Sequence, residues 1–325
     1  ARAISGYLQA GRSQGTSRYA FLSTRRAARL LAGQQKTSEA DLAFSELLKK
    51  FPAAERRDQL LFEWAGLHAD AGNFKRADEI CRLLLREAPR SDLVDNARFS
   101  LAESDLVAGK STEAAGAFAL LAADEKADKT VQQDSLYRLI GIAAGAGQWQ
   151  DVRQQSESLL KRFPQSRHHW ESRFQFGQAC LHLKQHALAK KTLVNVLRQR
   201  DTKNVGTARW FDETWVLLAE THFQLKEYDD VVRVVEDLRR TRPATTVLYK
   251  ADEILGRSLL KKPRPDFVGG RLALRRAIDS KTGRRTRTAA RSHLQLADSF
   301  LLQKNYTQAK KEFLAVHILY KFPTI

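Results

Sequence analysis

Residues 59–89, QLLFEWAGLHADAGNFKRADEICRLLLREAP, decide how the rest of the chain is read. Leu61, Trp64, Ala65 and His68 recur at helical spacing, and Gly72-Asn73 interrupts the run before Phe74, Ala77, Cys81 and Leu84 begin a second. Pro89 cannot continue that second helix, because it lacks an amide hydrogen and its ring clashes with the turn before it. The stretch is a helical hairpin with a defined end. One hairpin buries too little apolar surface to stand alone, so the neighbouring sequence must supply its partners.

A search for Ala77 and its surroundings at a fixed period finds Ala40, Ala77, Ala114, Val152, Ala189, Val231, Gly270 and Ala309, at gaps of 37, 37, 38, 37, 42, 39 and 39 residues. Three other columns move with this anchor, which ordinary amphipathicity would not produce. Three residues before it stand Phe74, Trp149, Tyr228, Phe267 and Tyr306, with Thr37, Ser111 and His186 in the remaining units. Twelve before it stand Ala28, Ala65, Ala102, Gly177, Ala219, Ser258 and Ala297, with Ile140 as the exception. Twelve after it stand Pro52, Pro89, Pro164 and Pro243, with Lys126, Asp201 and Thr282 elsewhere and the proline displaced to Pro323 at the end. A small residue on the first helix lets the second approach, the anchor fills the facing gap, and the aromatic closes the turn.

These columns, in this order, resemble the tetratricopeptide repeat over residues 27–325, although the unit from Asp252 to Gly283 is degenerate. The period is longer than the family's usual ~34 residues, so longer linkers are expected. The resemblance implies an all-α, right-handed solenoid of about eight hairpins, a protein-binding scaffold with no catalytic activity, whose first helices line a concave face for extended segments. The linkers Lys49-Lys50-Phe51-Pro52, Lys161-Arg162-Phe163-Pro164-Gln165-Ser166 and Lys321-Phe322-Pro323 resemble those of bacterial cell-envelope members. Those include the TolA-binding coordinator protein and the outer-membrane assembly lipoprotein, which implies an envelope or periplasmic adaptor, a cytoplasmic location being the alternative. Residues 1–26, with Gly6, Gly11 and Gly15 among Ser, Thr and Arg, are expected to be an irregular or partly helical lead-in. The chain contains no Met and stops just after a second helix, so further residues are expected at both ends.

A hydrophobic content of 43% excludes a disordered chain, and no window approaches the ~18 consecutive apolar residues of a spanning helix. Cys81 and Cys180 each lie in an apolar helical pattern and read as small buried hydrophobes. No Gly-x-Ser-x-Gly elbow or phosphate loop is present, and no catalytic or cofactor site is expected. His182 and His186, four apart, are the sharpest metal candidate, but the pair straddles a hairpin turn and reads as structural.

Fifteen residues before the anchor, Phe62, Phe99, Tyr137 and Phe174 form an aromatic ladder, followed by Val216, Leu255 and Leu294. One ring per unit could offer a peptide successive apolar pockets, or could pack against the next unit's first helix. Acidic residues at neighbouring first-helix positions, among them Glu103, Glu171, Glu213 and Glu220, suggest a groove for a neutral or basic segment. The Lys/Asn/Arg clamp by which some relatives hold a C-terminal carboxylate is not matched. The whole chain nonetheless carries 55 Lys+Arg against 37 Asp+Glu, a net +18. Half of that excess falls between Lys261 and Arg291, where Lys261, Lys262, Arg264, Arg275, Arg276, Arg284, Arg285 and Arg287 stand with three further basic residues against two aspartates. This stretch defines the alternative reading, in which nucleic acid or an anionic surface is held.

Overall fold

A computed structural model describes residues 2–13, 15–52, 56–202 and 204–320. Every regular element among them is helical. The chain divides into two compact units, residues 1–142 and 143–325. The first holds α1 (Arg2–Ser13), α2 (Arg18–Gly33), α3 (Thr37–Lys50), α4 (Arg57–Asp70), α5 (Phe74–Glu87), α6 (Val94–Val107), α7 (Ser111–Ala123) and most of α8 (Lys129–Gly145). The second holds α9 (Trp149–Arg162), α10 (His169–His182), α11 (His186–Leu197), α12 (Glu213–Gln224), α13 (Tyr228–Thr241), α14 (Leu248–Lys261), α15 (Phe267–Asp279), α16 (Arg287–Leu302) and α17 (Tyr306–Leu319).

From α1 to α7 and from α9 to α17 each helix packs on the next, and in the second unit α10, α12, α14 and α16 also pack in succession. This is an all-α repeat solenoid built from hairpins, each pairing a first helix with a second. The anchors fall on the second helices and are buried, with Ala40, Ala114, Val152, Ala189 and Val231 fully inaccessible. The small column is equally buried: Ala28, Ala219 and Ala297 are fully enclosed, and a methyl built on Gly177 would meet Leu193 at 2.8 Å. The degenerate unit brings two backbones together instead. A Cβ on Gly256 of α14 would lie 3.0 Å from the carbonyl oxygen of Gly270, its anchor on α15.

The proline column acts through the residue before it. Phe51, Ala88, Phe163 and Arg242 take φ from −126° to −134° with ψ of 59–68°, outside the helical region that a following proline disfavours. The linkers are then tied back: Ser91 Oγ donates to Asp58 at 2.5 Å and Thr245 Oγ1 to Asp212 at 2.6 Å. Pro323 and the linker from Lys321 lie outside the described residues.

The lead-in takes the more helical of the two forms expected, and the reading of the turn column needs correcting. The lead-in forms α1 and the start of α2, because Ser17 caps α2 by accepting from the Ala20 amide and Gly11 sits where a Cβ would strike Thr24 at 2.3 Å. The turn column does not close every turn, since Tyr306 is 65% exposed. A column that was not anticipated does the turning. Five residues before the anchor, Gln35, Gly72, Gly109, Gly147, Lys184, Lys226 and Lys304 all adopt positive φ, from 57° to 79°. A side chain in that region is strained by roughly 1–2 kcal/mol. Lys226→Gly is expected to leave melting unchanged or raise it, and Gly109→Ala to destabilise by about 1 kcal/mol; thermal denaturation showing the opposite order would contradict the turn assignment.

Candidate functional site

The sequence-derived ladder does not survive as one surface. In the first unit Phe62 and Phe99 are half-buried, Phe62 against the core of α2–α6 and Phe99 against Phe118, with ring centroids 5.2 Å apart. Tyr137 is half-buried beside Arg138, whose guanidinium lies 6.0 Å from its ring. In the second unit Phe174 is only 5% exposed and packs on Trp210 at 5.1 Å. Phe174 is therefore core, and the packing alternative holds for it. Its unit reaches the next through a long linker, and that linker's Trp210 covers the ring.

The acidic columns are also not free charge. Glu103 accepts two bonds of 2.7 Å from Arg138, Glu213 pairs with Lys250, and Glu220 pairs with Arg257. Glu63 is gripped by Arg25 and Arg29 in the same manner. Burial pushes the Glu63 carboxyl up, but these two guanidiniums outweigh it and its pKa falls below the ordinary range. Each pair joins first helices of successive hairpins, with partners 34–38 positions apart. These glutamates act as rungs between hairpins, so they are not free charge in the groove expected to take a neutral or basic segment. Glu171 is half-buried and pairs with no cation among the described residues. In the first unit the faces of α2 and α4 frame a cavity of about 850 Å³, lined by Arg29, Glu63, Gly66, Leu67 and Asp70 with Phe44 behind them.

The basic stretch is likewise dispersed. Lys262 pairs with Asp229 at 2.6 Å, Arg275 with Glu312 and Arg276 with Asp252, while Arg291 approaches Glu253 at 3.7 Å. Arg271 lies 3.9 Å over the Phe300 ring. Lys261, Arg264, Arg284, Arg285 and Arg287 are exposed. Lys261 and Arg264 stand at one end of the α14–α15 hairpin, whereas Gly283, next to Arg284 and Arg285, lies against Tyr249 at the start of α14. A 14-residue helix is about 20 Å long, so these cations form two groups and not one patch. Part of the local charge excess in the sequence is thus taken up by internal pairing.

That bonding is deeply placed. Asp252 and Glu253 are 3% and 1% exposed, Asp252 between Arg239 and Arg276 and Glu253 beside Arg257. Burial pushes both carboxyls above their usual range against the pull of the guanidiniums. A carboxyl raised in the fold gives its full stabilisation below the unfolded value, near pH 4, and loses it as pH rises through the folded value. Asp252→Asn cannot titrate, so its melting temperature should gain on that of the wild type between pH 4 and pH 7. A gap independent of pH would contradict this assignment.

His182 stacks on Trp149 with centroids 3.8 Å apart and ring planes 1° from parallel, a structural role. A group not foreseen in the sequence is His222, Glu227 and Asp230, whose donor atoms lie within 4.8 Å of one another at the α12–α13 turn. Lys190 Nζ donates to both oxygens of Glu227, at 2.7 and 2.9 Å, and so already neutralises that carboxylate. Cys81 and Cys180 are buried and unpaired, and desolvation pushes both thiols up to about 11, which suits packing and not nucleophilic chemistry.

The hairpin order, the small and anchor columns and the packing of first helix on first helix settle the architecture. The chain has the tetratricopeptide-repeat fold. Solved structures agree: a tetratricopeptide repeat protein from Parabacteroides merdae is similar with a TM-score of 0.56 at 15% identity, covering 82% of this chain and 94% of that one. The apo form of RapI is similar at 0.57 and 11%, covering 92% and 98%. A STAND signal-transduction ATPase with a tetratricopeptide repeat sensor, from Pyrococcus horikoshii, is similar at 0.54 and 14%, covering 97% of this chain and 51% of its own. At these identities the likeness is one of fold. No protein-family model and no curated protein matches the sequence.

Proposed function

We propose that this tetratricopeptide-repeat chain is a non-enzymatic scaffold that binds extended protein segments on its first-helix faces, as an adaptor of the bacterial envelope. The observation that carries the reading is the first-unit surface of α2, α4 and α6. There Phe62 and Phe99 remain half-exposed beside carboxylates that are already paired with arginines, and one of these, Glu63, also lines the cavity of about 850 Å³. An aromatic surface with satisfied polar neighbours favours a peptide backbone and its apolar side chains, since no uncompensated charge has to be desolvated. The envelope setting rests on the likeness of the Lys-Arg-Phe-Pro joints alone. A nucleic-acid role draws no comparable support, because four basic residues of the 261–291 stretch pair with carboxylates.

The test is capture of proteins from a bacterial envelope extract by the full chain, at low and high salt, with and without nuclease. Phe62→Ala and Phe99→Ala should lower the captured amount while leaving the helical signal intact. Capture abolished by nuclease, or unchanged by both substitutions, would overturn the reading.

A further inference from the structure

A cavity of about 760 Å³ lies on the opposite kind of surface, where the second helices α9 and α11 flank the first helix α10. Arg173 and Phe176 of α10 form its floor, Leu160 and Val194 its apolar walls, and Lys191 and Arg198 its exposed rim. No carboxylate lines it. Lys190, also in the lining, is spent on Glu227, but Arg173, Lys191 and Arg198 have no acidic partner among the described residues.

The next hairpin offers a direct comparison. Trp215 and Leu218 hold the positions of Arg173 and Phe176, and Trp215 Nε1 donates to Asp237 at 3.0 Å. Asp201 and Asp237 there balance Arg200. In the α10–α11 cavity the indole is replaced by a guanidinium and the carboxylate by an amide: Arg173 Nη1 donates to Asn195 Oδ1 at 3.4 Å, the guanidinium lies 5.5 Å over the Trp170 ring, and its Nε is buried with no acceptor. Relative to the next hairpin, the exchange puts a cation where that hairpin keeps an indole, and removes the acid that answers it there. A cation drawn partly out of water without a counter-ion is unfavourable unless an anion arrives from outside. His169, one turn before Arg173, feels the same environment: burial, and then the Arg173 charge, lower its pKa.

We infer that this cavity is a second binding site, for an extended protein segment in which carboxylates alternate with apolar side chains. The apolar walls beside the guanidinium call for both chemistries on one ligand. The rim adds a spacing: Lys191 and Arg198 lie seven residues apart on one helix, about 10 Å at 1.5 Å per residue. In an extended chain of polyproline-II form, with three residues per turn at ~3.1 Å per residue, side chains three apart share one face and span a similar ~9 Å. A segment with acids at every third position therefore meets both rim cations while its intervening side chains face Phe176, Leu160 and Val194. This site goes beyond the first-helix reading and rests on different residues.

The probe is a fluorescein-labelled peptide, Glu-Leu-Phe-Glu-Leu-Phe-Glu, titrated with the full chain by fluorescence anisotropy, with Lys-Leu-Phe-Lys-Leu-Phe-Lys as its counterpart. The acidic peptide should bind at least tenfold more tightly than the basic one. Arg173→Gln, and the pair Lys191→Gln with Arg198→Gln, should each weaken it at least tenfold. Lys281→Gln with Arg284→Gln, which lowers the overall charge elsewhere, and Phe62→Ala, in the first-helix site, should change affinity less than twofold. Arg173→Gln should also melt no lower than wild type without peptide, and lose the rise in melting temperature that the peptide gives the wild type. Equal weakening by the Lys281 and Arg284 changes would reduce the effect to net charge and overturn the site. So would an absence of acidic-peptide binding, equal binding of the basic peptide, or displacement by inorganic phosphate as readily as by unlabelled peptide.

Discussion

Phe211→Ala should destabilise the second unit by about 3–5 kcal/mol, the cost of emptying a fully enclosed aromatic site. Phe211 lies outside any helix, in the 15-residue connection between Leu197 of α11 and Glu213 of α12, yet it has no accessible surface. Its ring meets Trp215 edge-on at 5.4 Å and Trp210 at 5.7 Å, and Arg242 lies over it at 6.0 Å. Val205, earlier in the same connection, is 9% exposed. The connection is thus a packed part of the core, which is how the array absorbs its longest interval, 42 residues, without a break in stacking. Urea denaturation followed by circular dichroism measures the loss, and hydrogen exchange should show it concentrated in residues 143–325. A loss below about 1 kcal/mol would mean that the connection is an unanchored loop.

Ala219→Trp should cost about 1–3 kcal/mol through overpacking, and Ala297→Trp the same. Both positions are fully buried on first helices, at the column where the second helix comes closest. No rotamer of an indole fits there without separating α12 from α13 or α16 from α17. The two changes are in different hairpins with no shared contact, so their costs should add within about 0.5 kcal/mol. Unchanged melting in either variant would contradict the helix register on which every column rests.

The architecture was legible because its signals are covalent or steric. A proline ends a helix whatever surrounds it, and a large side chain at position 219 or 297 would hold two helices apart. The positive-φ column was missed because Gly72, Gly109 and Gly147 were read as breaks, while Gln35, Lys184, Lys226 and Lys304 carry no local mark of the same backbone state. Alignment on the anchor would have shown it. The candidate sites were less legible, because charge in a sequence says nothing about its partner. Glu213 with Lys250 and Glu220 with Arg257 lie 37 positions apart, close to the repeat spacing, and pairing across that interval was the signal that could have found them. The aromatic ladder failed at Phe174 because its cover, Trp210, comes from a connection with no equivalent in the other hairpins. Arg173 gave its signal only by comparison, in a column that holds Trp215, Ile254 and His293 in the later hairpins and whose other arginine, Arg98, stands beside Asp95.

The most direct test of protein-segment binding on first-helix faces is site-specific photo-cross-linking with benzophenone-bearing residues. One is placed at Phe62 or Phe99, and another at the exposed second-helix position Arg82, in the full chain mixed with envelope extract at high salt after nuclease treatment. Cross-links to protein segments at 62 and 99, and few at 82, are the predicted result. Equal cross-linking at all three positions, or none once nuclease and salt are present, would contradict the claim.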